Sequence, residues 1–254
     1  MERNDLIKEF VARGLHLGGR RSFIHPKMKK FVFTFKNDLA LIDLEKAAEL
    51  WEKTFEELKN LILQGKTILF VGTQPAAGPV LKKYGEELNL PYITGRWLGG
   101  TITNFQTLKK RLDYLAELEA KLNSQEVDTY TKKERGLMKK ESEEIRGKFE
   151  GLVKLKFLPD ALFVFCGKKH RTALKEAQRK GVKIFGLLGL EDDPDQANQF
   201  IPLNDNTRIG IEFVMEQIKQ IYQEQQKAAK KSSEEPKEKT IETDAGEKPT
   251  KTAE

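Results

Sequence analysis

One cysteine, Cys166, stands in 254 residues, so no internal disulfide framework can form, and the chain suits a reducing compartment. Histidine is also scarce, three in all. His16 and His25 have no carboxylate or thiol near them in sequence and do not make a complete metal shell. No uncharged apolar run approaches the ~20 residues of a membrane span. The first residues, Met1 to Lys8, lack the basic-then-apolar layout of a signal peptide. We therefore expect a soluble, cytoplasmic protein with no membrane partner.

Acidic residues are missing where they would matter most. From Arg13 to Lys36 there are seven basic residues and no Asp or Glu: Arg13, Arg20, Arg21, Lys27, Lys29, Lys30 and Lys36. The same stretch holds Gly14, Gly18 and Gly19, which let the backbone approach another surface. Clustered cations beside such a backbone suit a phosphate polymer, whose neutralisation releases counterions. The simpler reading is a solvated basic loop. The whole chain carries +6 with a pI near 9.1, a modest balance that fits an acidic partner without requiring one.

Apolar residues make up 38% of the chain, enough for a sizeable core. Phe31 to Phe35 alternates as a strand does, with three Phe on one face, and we expect that face in the core. A second short strand, Leu39–Ile42, leads to Asp43 as a helix cap. A helical face follows at steps of three and four: Leu44, Ala47, Trp51, Phe55, Leu58 and Ile62, closed by Gly65. Continuous apolar runs at Thr67–Val71, Ala161–Phe165 and Lys183–Leu188 read as parallel strands covered on both faces. With helices between them they form the βαβ pattern of an α/β domain.

The stretch Gly95 to Phe105 interrupts that pattern. Gly99-Gly100 permit a sharp turn, while Arg96 and Trp97 supply a forked cation and a flat apolar ring. On the residues alone it is a tight junction around a buried Trp rather than a site. Thr103 with Gln106, and Thr131 with Glu134, read as capping boxes that start two helices. Phe105, Leu108, Leu112, Leu115 and Leu122 form one seam, and Met138, Ser142, Ile145, Phe149 and Leu152 the other. Together they predict an antiparallel hairpin standing off the body. Beyond about Glu224 the apolar pattern stops and disorder is expected. The expected parts are residues 1–102, the first part of the α/β domain with its basic segment; 103–157, the hairpin; 158–223, the second part; and 224–254, the charged tail.

No catalytic constellation emerges. The turn Gly72 to Gly78 lacks both the dinucleotide spacing and the Lys-Ser/Thr of a phosphate loop. Cys166 with His170 has no evident orienting acid. Asp192, Asp193 and Asp195 beside Pro194 read as turn residues rather than an ion site. No metal and no cofactor are expected.

These residues resemble the bacterial small-subunit ribosomal protein S-two family. The strongest element is Arg96-Trp97-Leu98-Gly99-Gly100-Thr101-Ile102-Thr103-Asn104-Phe105. It is supported by Gly14-x-His16-x-Gly18, Pro26-Lys27-Met28, Leu69 to Thr73, Pro159 to Val164 and Ile201-Pro202-x-Asn204-Asp205. The resemblance implies a flavodoxin-like, three-layer α/β domain with a five-stranded parallel sheet and an inserted antiparallel coiled-coil hairpin. It implies a non-catalytic constituent of the small subunit that binds small-subunit rRNA, joins late in assembly and helps retain ribosomal protein S-one. Neighbouring ribosomal proteins are the other expected partners, and no homo-oligomer is expected. Carried onto this chain, rRNA contacts fall to Arg13, His16, Arg20, Arg21, His25, Lys27, Lys29, Lys30, Arg96, Lys132 and Lys133. The corner falls to Trp97, Gly99, Gly100, Thr103 and Asn104. The chain departs from the family pattern at Gly19, Gln74-Pro75, Cys166 and Leu188-Gly189-Leu190. The rival reading is an α/β nucleotide-binding enzyme or regulator using the Gly72 turn and the acidic strand-end loop.

Overall fold

The computed structural model describes residues 3–124 and 130–234, with side chains described as far as Lys227. Its centre is a parallel sheet of β4 (Ile68–Val71), β5 (Tyr92–Ile93), β6 (Ala161–Phe165), β7 (Lys183–Leu188) and β8 (Gln199–Pro202), in the order β5-β4-β6-β7-β8. That is the flavodoxin-type order, in which the chain starts inside the sheet and reverses direction once. β4 and β6 lie side by side, Ile68 opposite Ala161 and Val71 opposite Val164, although the whole hairpin separates them in sequence.

Continuous apolar runs are required because both faces are covered. Ile68, Phe70, Phe163, Phe165 and Phe185 face one way, into a core completed by α1 (Arg3–Ala12), α2 (Leu44–Leu63), α3 (Gly78–Glu87) and α7 (Arg208–Glu234). Leu69, Val71, Leu162, Val164 and Ile184 face the other way, against α6 (Arg171–Lys180) and the base of the hairpin. The Asp43 carboxylate accepts from the backbone N–H groups of Glu45 and Lys46 and so starts α2. Gly181, at φ +68, ends α6 in the left-handed conformation.

The structure departs from the sequence reading in three places. First, β2 (Val32–Lys36) is an edge strand of a separate antiparallel sheet, β1-β3-β2, with β1 at Leu17–Arg20 and β3 at Leu39–Ile42. A register shift between Val32 and Thr34 breaks its alternation. Phe31 therefore turns inward onto Phe200, 5.6 Å between ring centroids, while Phe33 and Phe35 are 75% and 43% exposed. Second, Thr103 and Gln106 form no capping box. α4 (Phe105–Asn123) begins one residue later, after Asn104, without a side-chain cap, and the Thr103 hydroxyl is engaged elsewhere. The Thr131–Glu134 box does form, at the start of α5 (Lys132–Phe149). Third, α7 continues past Glu224 to Glu234. Residues 125–129 of the hairpin loop and 235–254 of the tail lie outside the described residues.

α4 and α5 pair as the hairpin. Leu115, Leu118 and Ile145 form its own small cluster, whereas Leu108 and Leu112 join the core under the sheet. Its base is anchored and its outer part is thin. At 1.5 Å per residue the arm is about 28 Å long.

Candidate nucleic-acid interface

Ligands of such sheets collect at the carboxyl ends of the strands, beside the point where strand order reverses. Here that point lies between β4 and β6, and the protein's own side chains fill it. The backbone N–H of Thr73 donates to His170 Nε2 at 3.1 Å, which leaves the imidazole proton on Nδ1, 2.7 Å from the Cys166 carbonyl oxygen. Burial holds His170 below its ordinary pKa, consistent with a neutral ring. Gln74, itself buried, donates to the Phe165 carbonyl. A Cβ at Gly72 would lie 2.8 Å from both Ala77 and Leu81. His170 meets the carbonyl of Cys166 rather than its thiol, so the pair is not arranged as base and nucleophile.

One set of metal-type ligands exists among the described residues. Cys166, Asp192 and Asp205 bring their ligand atoms within 4.8 Å of one another, all buried. Burial pushes Cys166 well up and Asp205 up to about 7. Both oxygens of Asp192 already accept backbone N–H groups, from Lys168 and Gly189. Three ligands of which one is so engaged fall short of a closed four-coordinate set.

The cations lie on the rim around this filled centre. At the β7 end, the basic segment is pinned by backbone hydrogen bonds, His25 N–H to the Leu190 carbonyl and Ile42 N–H to the His16 carbonyl. Arg20, Lys29 and Lys36 are exposed and carry no side-chain hydrogen bond or ion pair among the described residues. Arg21 lies over the Phe35 ring at 4.9 Å and Lys30 over Phe31 at 5.1 Å. Lys27 is ion-paired with Asp195. Arg13 is half-buried, paired with Glu9 at 2.8 Å and placed 4.5 Å over Phe213. His16 and His25 are half-buried, each with an Nδ1 that is buried and without a partner. These three are therefore less available than the lysines and Arg20.

The β6 end adds cations that the sequence reading passed over. Lys168, Lys169 and Arg171 are exposed, and Lys168 Nζ lies 5.9 Å from the Phe23 ring. Their signal was the run Lys168-Lys169-His170-Arg171 directly after a strand.

At the β5 edge stands the corner. Gly100 has φ +94, closed to most side chains, and the turn closes around Glu176 of α6. One carboxylate oxygen accepts from Trp97 Nε1 at 3.0 Å and from the Gly100 N–H at 2.9 Å. The other accepts from the N–H groups of Ile102 and Thr103, both at 3.1 Å, and from the Thr103 hydroxyl at 3.0 Å. Burial alone would raise this carboxyl. The donations from Trp97 and from the Gly100, Thr103 and Ile102 amides outweigh it and hold it below the ordinary range. Trp97 is half-buried, and Arg96 is exposed without an ion pair. No sequence signal marked Glu176.

The structure does not bring every expected contact residue together. β5 and β7 are three strand spacings apart, about 14 Å, so Arg96 and the basic segment sit at opposite sides of one rim. Lys132 and Lys133 are exposed at the first turn of α5, at the far end of the arm. No helix among the described residues is long and apolar enough to cross a membrane.

The sequence profile of the family described as Ribosomal protein S2 matches residues 10–225. Proteins named small ribosomal subunit protein uS2 from two strains of Thermus thermophilus are 36% identical over 209 residues, 82% of this chain and 82% of each of theirs. One of the same name from Helicobacter hepaticus is 34% identical over 212 residues, 84% of this chain and 80% of its own.

Proposed function

The chain belongs to the ribosomal protein S2 family, and from that premise we propose that the cationic rim and the hairpin arm hold it on small-subunit rRNA. Membership makes it a structural protein of the small ribosomal subunit, working in translation on the cytoplasmic ribosome, and not an enzyme.

The observation that carries the rRNA reading is the set of exposed cations without side-chain partners among the described residues, Arg20, Lys29 and Lys36 in the basic segment and Arg96 at the β5 edge. Cations left unneutralised by the fold are free to displace counterions from a phosphate backbone. The arm of residues 103–157 extends the reach of that rim through Lys132 and Lys133. The exposed Phe23, Phe33 and Phe35 among these cations suit a neighbouring protein as well as RNA. These rings are the surface we assign to the implied retention of ribosomal protein S-one. The protein acts as a single copy within the subunit.

The test is co-sedimentation with small subunits washed free of this protein, across a salt series. Binding should fall steeply as salt rises. Replacing Arg20, Arg21, Lys29 and Lys30 together by Ala should lower the slope of log Kd against log salt by about 3–4, with the melting temperature unchanged. Salt-independent binding, or an unchanged slope in the variant, would refute the rim as the contact.

A further inference from the structure

Beneath the corner lies a cavity of about 260 Å³, walled by the end of β5, Arg96 and the last turn of α5. We propose that this cavity receives one unpaired nucleotide of the small-subunit rRNA, the base entering between Gly95 and Gly147 and the phosphate meeting Arg96. The proposal rests on the rRNA reading above and narrows it to one contact.

The first support is glycine that the fold itself does not need. Nearby Gly151 is required by packing, since a Cβ there would lie 2.1 Å from the Tyr92 carbonyl oxygen. At Gly95 and Gly147 a Cβ would meet nothing within 4 Å, and neither has a positive φ. Gly147 also sits inside α5, where glycine is a worse helix former than any residue but proline. Gly136, elsewhere in α5, is as open, so an unneeded glycine decides nothing alone; Gly95 and Gly147 line the same cavity, and there the missing Cβ atoms leave room for an outside group to approach closely.

The second support is charge. Arg96 and Lys148 border the cavity, exposed and without ion pairs among the described residues. The acid in the same wall, Glu150, is already paired with Lys82 at 2.8 Å. A guanidinium both forks onto phosphate and stacks on flat rings. The third support is shape. The cavity is smaller than the roughly 300–1,000 Å³ of small-molecule sites, so it suits a single ring system better than a whole cofactor. Half-buried Phe149 lies in its wall, and RNA is read most specifically where splayed bases meet aromatic side chains.

The test uses full-length chains with Gly147→Leu, Gly95→Leu and Gly136→Leu. Gly136 lies in the same helix, with equally open space, but away from the cavity. Each variant is melted and then titrated against washed small subunits, and dimethyl sulfate reads which bases become protected. Gly147→Leu and Gly95→Leu should melt no lower than wild type yet bind about tenfold or more weakly. They should also lose the protection of one base, and Gly136→Leu should match wild type in every reading. Wild-type affinity and protection in both cavity variants would overturn the proposal while leaving the rim reading intact. Failure of wild type itself to bind washed subunits would overturn both.

Discussion

Glu176→Gln keeps the size of the side chain and removes its charge, so it isolates what the carboxylate does for the corner. Five donors converge on its two oxygens, three on one and two on the other. A Gln amide offers one acceptor oxygen. Its better orientation keeps the oxygen toward Ile102 and Thr103 and turns the NH₂ toward Trp97 Nε1–H and the Gly100 N–H, leaving two donors without acceptors. An orphaned buried donor costs about 1–3 kcal/mol. Trp97 and Gly100 are only half-buried, so the low end applies and the total is about 2–3 kcal/mol. For a chain of this length that lowers the melting temperature by about 4–12 °C. Differential scanning calorimetry at pH 7 measures it, and amide exchange at Gly100, Ile102 and Thr103 localises it. The pH dependence supplies a second check. Because the native carboxyl lies below its ordinary value of 4.5, its contribution is full above that value and is lost as pH falls through the lower native one. The gap between wild type and variant should therefore be widest above the ordinary value and narrow as pH falls below it. An unchanged melting temperature, or a gap indifferent to acid, would refute the clamp.

Two other groups give contrary signs. Asp205, raised to about 7 by burial and by Asp192, costs stability as pH climbs from the ordinary carboxylate range through 7; in EDTA, Asp205→Asn should gain on wild type between about pH 4 and 7 and hold that gain above it, and a pH-independent difference would refute this. Cys166, its thiol pushed up by burial, should resist Ellman's reagent in the native protein at pH 8 and react fully in guanidinium chloride; rapid native labelling would show the site is open.

Legibility in the sequence followed periodicity. The parallel strands were readable because burial on both faces demands unbroken apolar runs, as at Ala161–Phe165. The start of α2 was readable because capping at Asp43 is local chemistry. Phe33 and Phe35 misled because alternation reports a face without saying what covers it, and the register shift that exposes them is a property of pairing with β3. Thr103 misled because a hydroxyl three residues before Gln106 has two possible partners, and the one it takes arrives from α6. Of the expected contact residues, the sequence identified the charge but could not separate the free Arg20 from Arg13, which is folded onto Phe213.

The distance in sequence between the corner and its acceptor also bears on synthesis. Gly100 and Glu176 are 76 residues apart. At about 5–20 residues per second, a ribosome needs about 4–15 s to make Glu176 after Gly100. During that interval the hairpin emerges with its base unlatched, and β4 has β5 on one side but not yet β6 on the other. The nascent chain therefore passes through a stage in which the arm is complete and its angle to the body is not yet set.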